Sequence, residues 1–167
     1  AILPLNTTEA PVKFIAVSGG TYNVDPTHYH GEAKYPYCYD AVENEDGTWT
    51  VKYSPAVEIG ETGYESLKEA VAAAKDGDVI TVRKDQTLDN KTAEIAAYDM
   101  YSYITVSDKK ITIDLNGKTI TANPKFDKTL YGVIVVNGTG DVTLTDNSTD
   151  KTGAINVTVA EGTQAYS

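Results

Sequence analysis

Four aspartates in the second half of the chain, Asp114, Asp141, Asp146 and Asp150, are of the type that could do acid–base chemistry. In a hydrolytic or eliminative site one carboxyl group gives a proton to the leaving group while another activates water or attacks directly. Their spacing argues against that role. Apolar residues recur with a step of 22: Ile111 and Ile113 lead to Val133 and Val135 and then to Ile155 and Val157, and Ile120 leads to Val142. On that register Asp114 lies opposite Ile113 and faces outward, but its successors are Val136 and Thr158, so no column of carboxylates forms. Arg83 is the only arginine. The expectation is a non-enzymatic protein without a cofactor, with these charges as solvated outer-face residues.

Other chemistry-bearing groups are weaker. Asp146-Asn147-Ser148-Thr149-Asp150 and Asn44-Glu45-Asp46-Gly47 are oxygen-rich, but neither has the spacing of a twelve-residue calcium loop, and turn formation explains both. His28 and His30 alternate along one segment without an evident third ligand, so no metal is expected. A single cysteine, Cys38, excludes an internal disulfide and a zinc cluster. Tyr98, Tyr101, Tyr103 and Tyr131 could make an aromatic platform for a neutral glycan, since tyrosine joins an apolar face to a polar rim; stacking inside the protein explains them equally well. Sequons at Asn6, Asn90, Asn137, Asn147 and Asn156 matter only in a host that glycosylates asparagine.

The elements that must position these groups are mostly strands. ITIDLNGKTIT, from Ile111 to Thr121, alternates apolar and polar residues on both sides of an Asn116-Gly117 corner, which is the period-two pattern of strand, turn and strand. Columns sharing one period are natural for a solenoid that stacks like side groups. The fold class predicted is mostly β, a right-handed parallel β-helix with about 22 residues per coil. Asn137-Gly138 and Asp146-Asn147 supply further corners.

Earlier in the sequence, Tyr39 to Glu43 and Thr48 to Tyr53 flank Asp46-Gly47 and read as a hairpin. Ser54 to Gly63, with Pro55, Gly60 and Gly63, reads as a junction. One short helix follows. Ser66 and Glu69 make a capping box, Leu67, Ala70, Val71 and Ala74 share one face, and Gly77 is placed to stop it. Such a helix must lie on a flat apolar surface to persist. Asp89 to Met100 reads as an insertion loop.

Composition narrows the partners. A net charge of -10 over 167 residues disfavours nucleic acid and anionic surfaces, and no run is long and apolar enough for membrane insertion. Twelve tyrosines against two phenylalanines, with many threonines in the strand-like segments, suit wet pleated surfaces and point to an extracellular, cell-surface or secreted protein.

YESLKEAVAAAKDGDVITV, ITIDLNGKTIT and GVIVVNGTGDVTLTDNS together resemble the opening of pectate-lyase-like right-handed parallel β-helix modules of large bacterial, Firmicutes-type, cell-surface proteins. VSGGTYNVDPTHY followed by ENEDGTWTVKY resembles the closing part of such a module. The resemblance implies a capping helix on the first coil and display at a cell surface. The enzymes among such folds gather carboxylates with a lysine or arginine on one face, and this sequence does not.

A closing segment thus precedes an opening one, giving two expected units: residues 1–55, a strand and hairpin unit, and 56–167, a capping helix with coils. The function expected is a non-catalytic structural module of an extracellular surface protein or fibre, with a carbohydrate-binding adhesin module as the alternative and a polysaccharide lyase or hydrolase ranked third. Its expected partners are neighbouring modules or further copies joined end to end by strand addition. Val12, Phe14, Ala16, Ile155, Val157 and Val159 are the candidate assembly residues.

Overall fold

The structure is a computed structural model that describes residues 18–26, 38–88, 94–95, 101–123 and 130–158, the side groups of 94, 95, 101, 130 and 131 excepted. The protein divides into two compact units, Ala1–Ser54 and Pro55–Ser167.

The first unit holds an antiparallel sheet of β1 (Thr21–Tyr22), β2 (Tyr39–Glu43) and β3 (Trp49–Tyr53), in the order β1-β3-β2. The predicted hairpin is β2–β3, with Tyr39 opposite Tyr53 and Glu43 opposite Trp49. Its turn is held by local bonds. Asn44 N–H donates to Thr48 O at 2.7 Å, and Asp46 Oδ1 accepts the Thr48 N–H at 3.0 Å and the Thr48 hydroxyl at 2.6 Å. Those contacts, the hydroxyl first, hold the Asp46 carboxyl below its ordinary value. Within this turn only Gly47 has a positive φ, so the Asp46-Gly47 pair supplies one left-handed residue and not two.

The second unit runs in order through β4 (Val57–Ile59), β5 (Thr62–Tyr64), α1 (Leu67–Ala73), β6 (Val79–Val82), β7 (Gln86–Leu88), β8 (Glu94–Ile95), β9 (Tyr101–Ser107), β10 (Lys110–Asp114), β11 (Thr119–Ala122), β12 (Leu130–Asn137), β13 (Asp141–Thr145) and β14 (Ala154–Val157). These strands form three sheets, ordered β13-β10-β6-β4-β5, β14-β11-β7 and β12-β9-β8. The first and third are mixed, because β4 runs antiparallel to β6 and β8 antiparallel to β9; the second is parallel throughout.

This arrangement overturns the predicted right-handed parallel β-helix with 22-residue coils. The described strands are spread over four small sheets, antiparallel, mixed and parallel, and no solenoid is present among the described residues. The 22-residue columns are not registers. Ile111 pairs with Val142 and Ile113 with Leu144, whereas Val135 pairs with Thr105, Ile155 with Ile120 and Val157 with Ala122. The long strand β12 pairs with β9, so the backbone passes through two further strands, β11 and β12, between β10 and its partner β13. A step of 22 residues therefore carries β10 onto β12 and β11 onto β13, and each of these pairs lies in different sheets.

The core of this unit gathers Leu67 and Val71 from α1, Ile80 from β6, Ile104 from β9, Ile113 from β10 and Ile120 from β11. Helix α1 buries Leu67, Ala70 and Val71, the face expected from the spacing, and Ser66 caps it by accepting the Glu69 N–H at 3.2 Å. Two details differ from the capping box. The Glu69 carboxylate accepts the Glu65 N–H at 3.2 Å, and the helix ends at Ala73, with Gly77 lying beyond it and donating to Lys110 O at 2.8 Å.

Both helix ends are tied to distant segments. Buried Gln86 accepts the Leu67 N–H at 3.3 Å. The Lys109 ammonium donates to the carbonyls of Val71 and Ala74, a cation at the end of a helix whose own last turn has no basic residue. Seven residues are too few to hold a helix alone, so these contacts and the buried face supply its stability.

Candidate interaction edge and its acidic corners

The Asn116-Gly117 corner is formed by two successive left-handed residues, φ +48° and +73°. A Cβ on Gly117 would stand 3.1 Å from Ser148 Cβ, so glycine serves both the conformation and the close approach. Around this corner the carboxylates bind the backbone. Asp114 Oδ1 accepts the N–H groups of Asn116 at 3.0 Å and Asn147 at 2.9 Å, and Oδ2 accepts the Asn147 side-chain amide at 3.1 Å. Asp146 Oδ1 accepts the N–H groups of Gly117 at 2.9 Å and Ser148 at 3.0 Å, while Oδ2 accepts that of Gly153 at 2.6 Å.

Asp114 is therefore buried, which corrects the outward placement that strict alternation with Ile113 predicts. Its carboxylate is accommodated because three N–H donors replace the water it loses. The Asp146 carboxyl is lowered from 3.8 to about 2. The largest influence is the Ser148 hydroxyl, which lies against it although its geometry falls short of a full hydrogen bond, and the Gly153, Ser148 and Gly117 N–H groups add to it.

The same device recurs along the second unit. Asp76 accepts the Lys110 N–H at 2.7 Å, Asp85 the Thr119 N–H at 2.8 Å and Asp108 the Thr139 N–H at 3.0 Å. With the Asp114–Asn147 contact, these bonds link residues 31 to 34 positions apart, within the 29 to 35 positions that separate paired residues of the parallel strands. Chemically these aspartates act as staples between one pass of the backbone and the next. Asp141 and Asp150 are exposed and do not join Asp114 and Asp146 in this corner network.

Beyond the corners lies a set of strand edges. Among the described residues β12, β13 and β14 each pair on one side only, with β9, β10 and β11. Each carries an apolar residue whose exposure contrasts with that of its partner. Val136 is 44% exposed against 0% for Val106, Leu144 49% against 0% for Ile113, and Val157 44% against 0% for Ala122.

The predicted site residues fall as follows. Val157 is exposed on this edge and Ile155 is half-buried beside it, while Val12, Phe14, Ala16 and Val159 lie outside the described residues. Val136 and Leu144 also belong to the edge, although the sequence does not single them out, because nothing in an apolar alternation distinguishes a terminal strand from an inner one. Of the tyrosines, Tyr103 is fully buried, which removes it from any surface platform. Tyr98 lies outside the described residues, as do the side groups of Tyr101 and Tyr131; the backbone of Tyr131 sits where the β9–β12 register shifts. His28 and His30 are outside the described residues. Arg83 pairs with Glu58 at 2.6 Å, and Cys38 is buried with a positive φ.

Among the described residues no group of three His, Cys, Asp or Glu is arranged to hold a metal, and no helix is long and apolar enough to cross a membrane. Compared with protein-family models, curated proteins and solved structures, the sequence and its fold match none.

Proposed function

We propose that this protein is a non-catalytic structural module of an extracellular surface protein or fibre, and that it associates end to end through the edges of β12, β13 and β14. The observation that carries the reading is the in-register contrast between exposed Val136, Leu144 and Val157 and buried Val106, Ile113 and Ala122. Another set of strands laid about 4.8 Å further on would satisfy the outer backbone groups and cover these side groups. Fully burying a valine or leucine contributes about 1.5–3 kcal/mol, so three half-exposed residues offer a sizeable driving force. The expected occupant is the first unit of a neighbouring copy, residues 12–53, or a neighbouring module of the same protein.

Two further observations support a structural role. Of the four aspartates that could have served as acid and base, Asp114 and Asp146 accept backbone N–H groups, which makes them part of the scaffold, while Asp141 and Asp150 are exposed apart from them. The acidic, tyrosine- and threonine-rich composition suits an exposed protein outside the cell.

Light scattering on the purified protein over a concentration series, with electron microscopy of the same samples, tests the association. Mass that rises with concentration, with linear particles, is the expected result. A monomer at every concentration sinks the end-to-end reading, and steady product release from a uronate polymer sinks the non-catalytic one.

A further inference from the structure

The sequence contains two Asn-Gly pairs at corners, Asn116-Gly117 and Asn137-Gly138, both with glycine at positive φ. Asn-Gly is the dipeptide most open to self-modification, because no Cβ hinders the glycine nitrogen from approaching the carboxamide carbon of the asparagine. In that reaction the nitrogen loses its proton and bonds to Cγ, the bond from Cγ to Nδ2 breaks, and ammonia leaves with a proton. Water then opens the cyclic imide at either carbonyl, giving aspartate or isoaspartate.

We infer that Asn137 is a site of this spontaneous deamidation and that Asn116 is protected from it by the fold. At the first corner both reacting groups are held. The Asn116 amide donates to Val82 O at 3.1 Å, and the Gly117 N–H donates to Asp146 Oδ1 at 2.9 Å. The peptide plane cannot turn its nitrogen toward Cγ without breaking the second bond, and a carboxylate against the N–H opposes the negative charge that deprotonation creates. Asn116 is also half-buried.

The second corner differs in each respect. Asn137 is exposed at the end of β12, and among the described residues its amide group makes no hydrogen bond. The nearby carboxylate, Asp108, accepts the N–H of Thr139, one residue beyond the reacting nitrogen. Glycine is favoured at 138 by its positive φ of +62°, and a Cβ there would also have to displace the Asp108 carboxylate, so the structure favours keeping the reactive dipeptide. Reaction adds a negative charge beside Asp108, and the isoaspartyl product adds a methylene to the backbone where Asn137 O accepts the Asp108 N–H at 3.3 Å and ties β12 to β9. Deamidation therefore marks and loosens one of the three exposed edge strands.

The test is to age the full-length protein in mildly alkaline buffer, folded and in urea, and to map peptides by mass spectrometry with isoaspartyl methyltransferase labelling. In the folded protein Asn137 should convert about tenfold or more faster than Asn116, because reaction at Asn116 waits for local opening; in urea the two rates should converge. Asn137→Gln should abolish the main deamidated species, as the longer glutamine amide cyclises poorly. Equal rates in the folded protein, a folded Asn137 that stays intact while the urea sample converts, or persistence of the main species in Asn137→Gln would each overturn the assignment.

Discussion

Asp114 holds Asn147 by two bonds at once, accepting its backbone N–H at 2.9 Å and its side-chain amide at 3.1 Å across 33 residues of sequence. The contact joins the corner after β10 to the corner after β13, so it fixes how one pass of the backbone sits on the next. Replacing Asp114 with Ala should leave these donors to water, since Asn147 is exposed, at a cost of about 0.5–1.5 kcal/mol per lost hydrogen bond. Urea unfolding measures this directly. A midpoint unchanged from the parent would mean that the staple contributes nothing net.

The acid limb of stability should carry the signature of Asp146. Its carboxyl is lowered from 3.8 to about 2 in the folded protein, so the folded state binds this proton less readily than the unfolded one. The resulting stabilisation is complete above the unfolded value and is lost as pH falls from about 4 toward 2. The stability gap between the parent and Asp146→Asn should therefore close over that interval. A gap that stays constant from neutral pH down to 2 would remove the carboxylate from the account.

Ile113 and Leu144 are adjacent in register yet differ from 0% to 49% exposure, so the same substitution should act differently at each. Lysine at Ile113 places a charge in the core and should prevent folding. Lysine at Leu144 should change monomer stability by about 0.5 kcal/mol or less while suppressing concentration-dependent association. Circular dichroism and light scattering read the two effects separately. Similar destabilisation at both positions would show that the β13 edge is covered in the monomer.

Helix α1 depends on anchors outside itself. Leu67 is fully buried; its packing is worth about 2–5 kcal/mol, and Leu67→Asp adds an unpaired charge. Lys109→Met should be milder, at about 1 kcal/mol, since it removes the cation from the Val71 and Ala74 carbonyls but keeps an apolar stem. Thermal melts should rank parent, Lys109→Met and Leu67→Asp in that order. A Leu67→Asp variant as heat-resistant as the parent would mean that the helix does not protect the core.

The sequence by itself determined what is local. Asp46-Gly47 makes the β2–β3 hairpin, Ser66 and the spacing of Leu67, Ala70 and Val71 make α1, and Asn116-Gly117 makes a corner, because each depends on residues within one or two turns of backbone. Tertiary structure alone decided which strands meet. Alternation says which side of its own strand Ile113 occupies; it says nothing of whether the partner is Val135 or Leu144, since that depends on the length of the loop that closes between them. Burial of Asp114 was hidden for a related reason. Its position in the alternation suggested solvent, and the neighbouring Asn116 supplies one donor; the other two come from Asn147, brought back by the pairing of β10 with β13, and together they make a buried carboxylate tolerable. The exposure of Val136, Leu144 and Val157 was equally invisible, because an edge strand and an inner strand share one apolar pattern and differ only in whether a neighbour lies beyond.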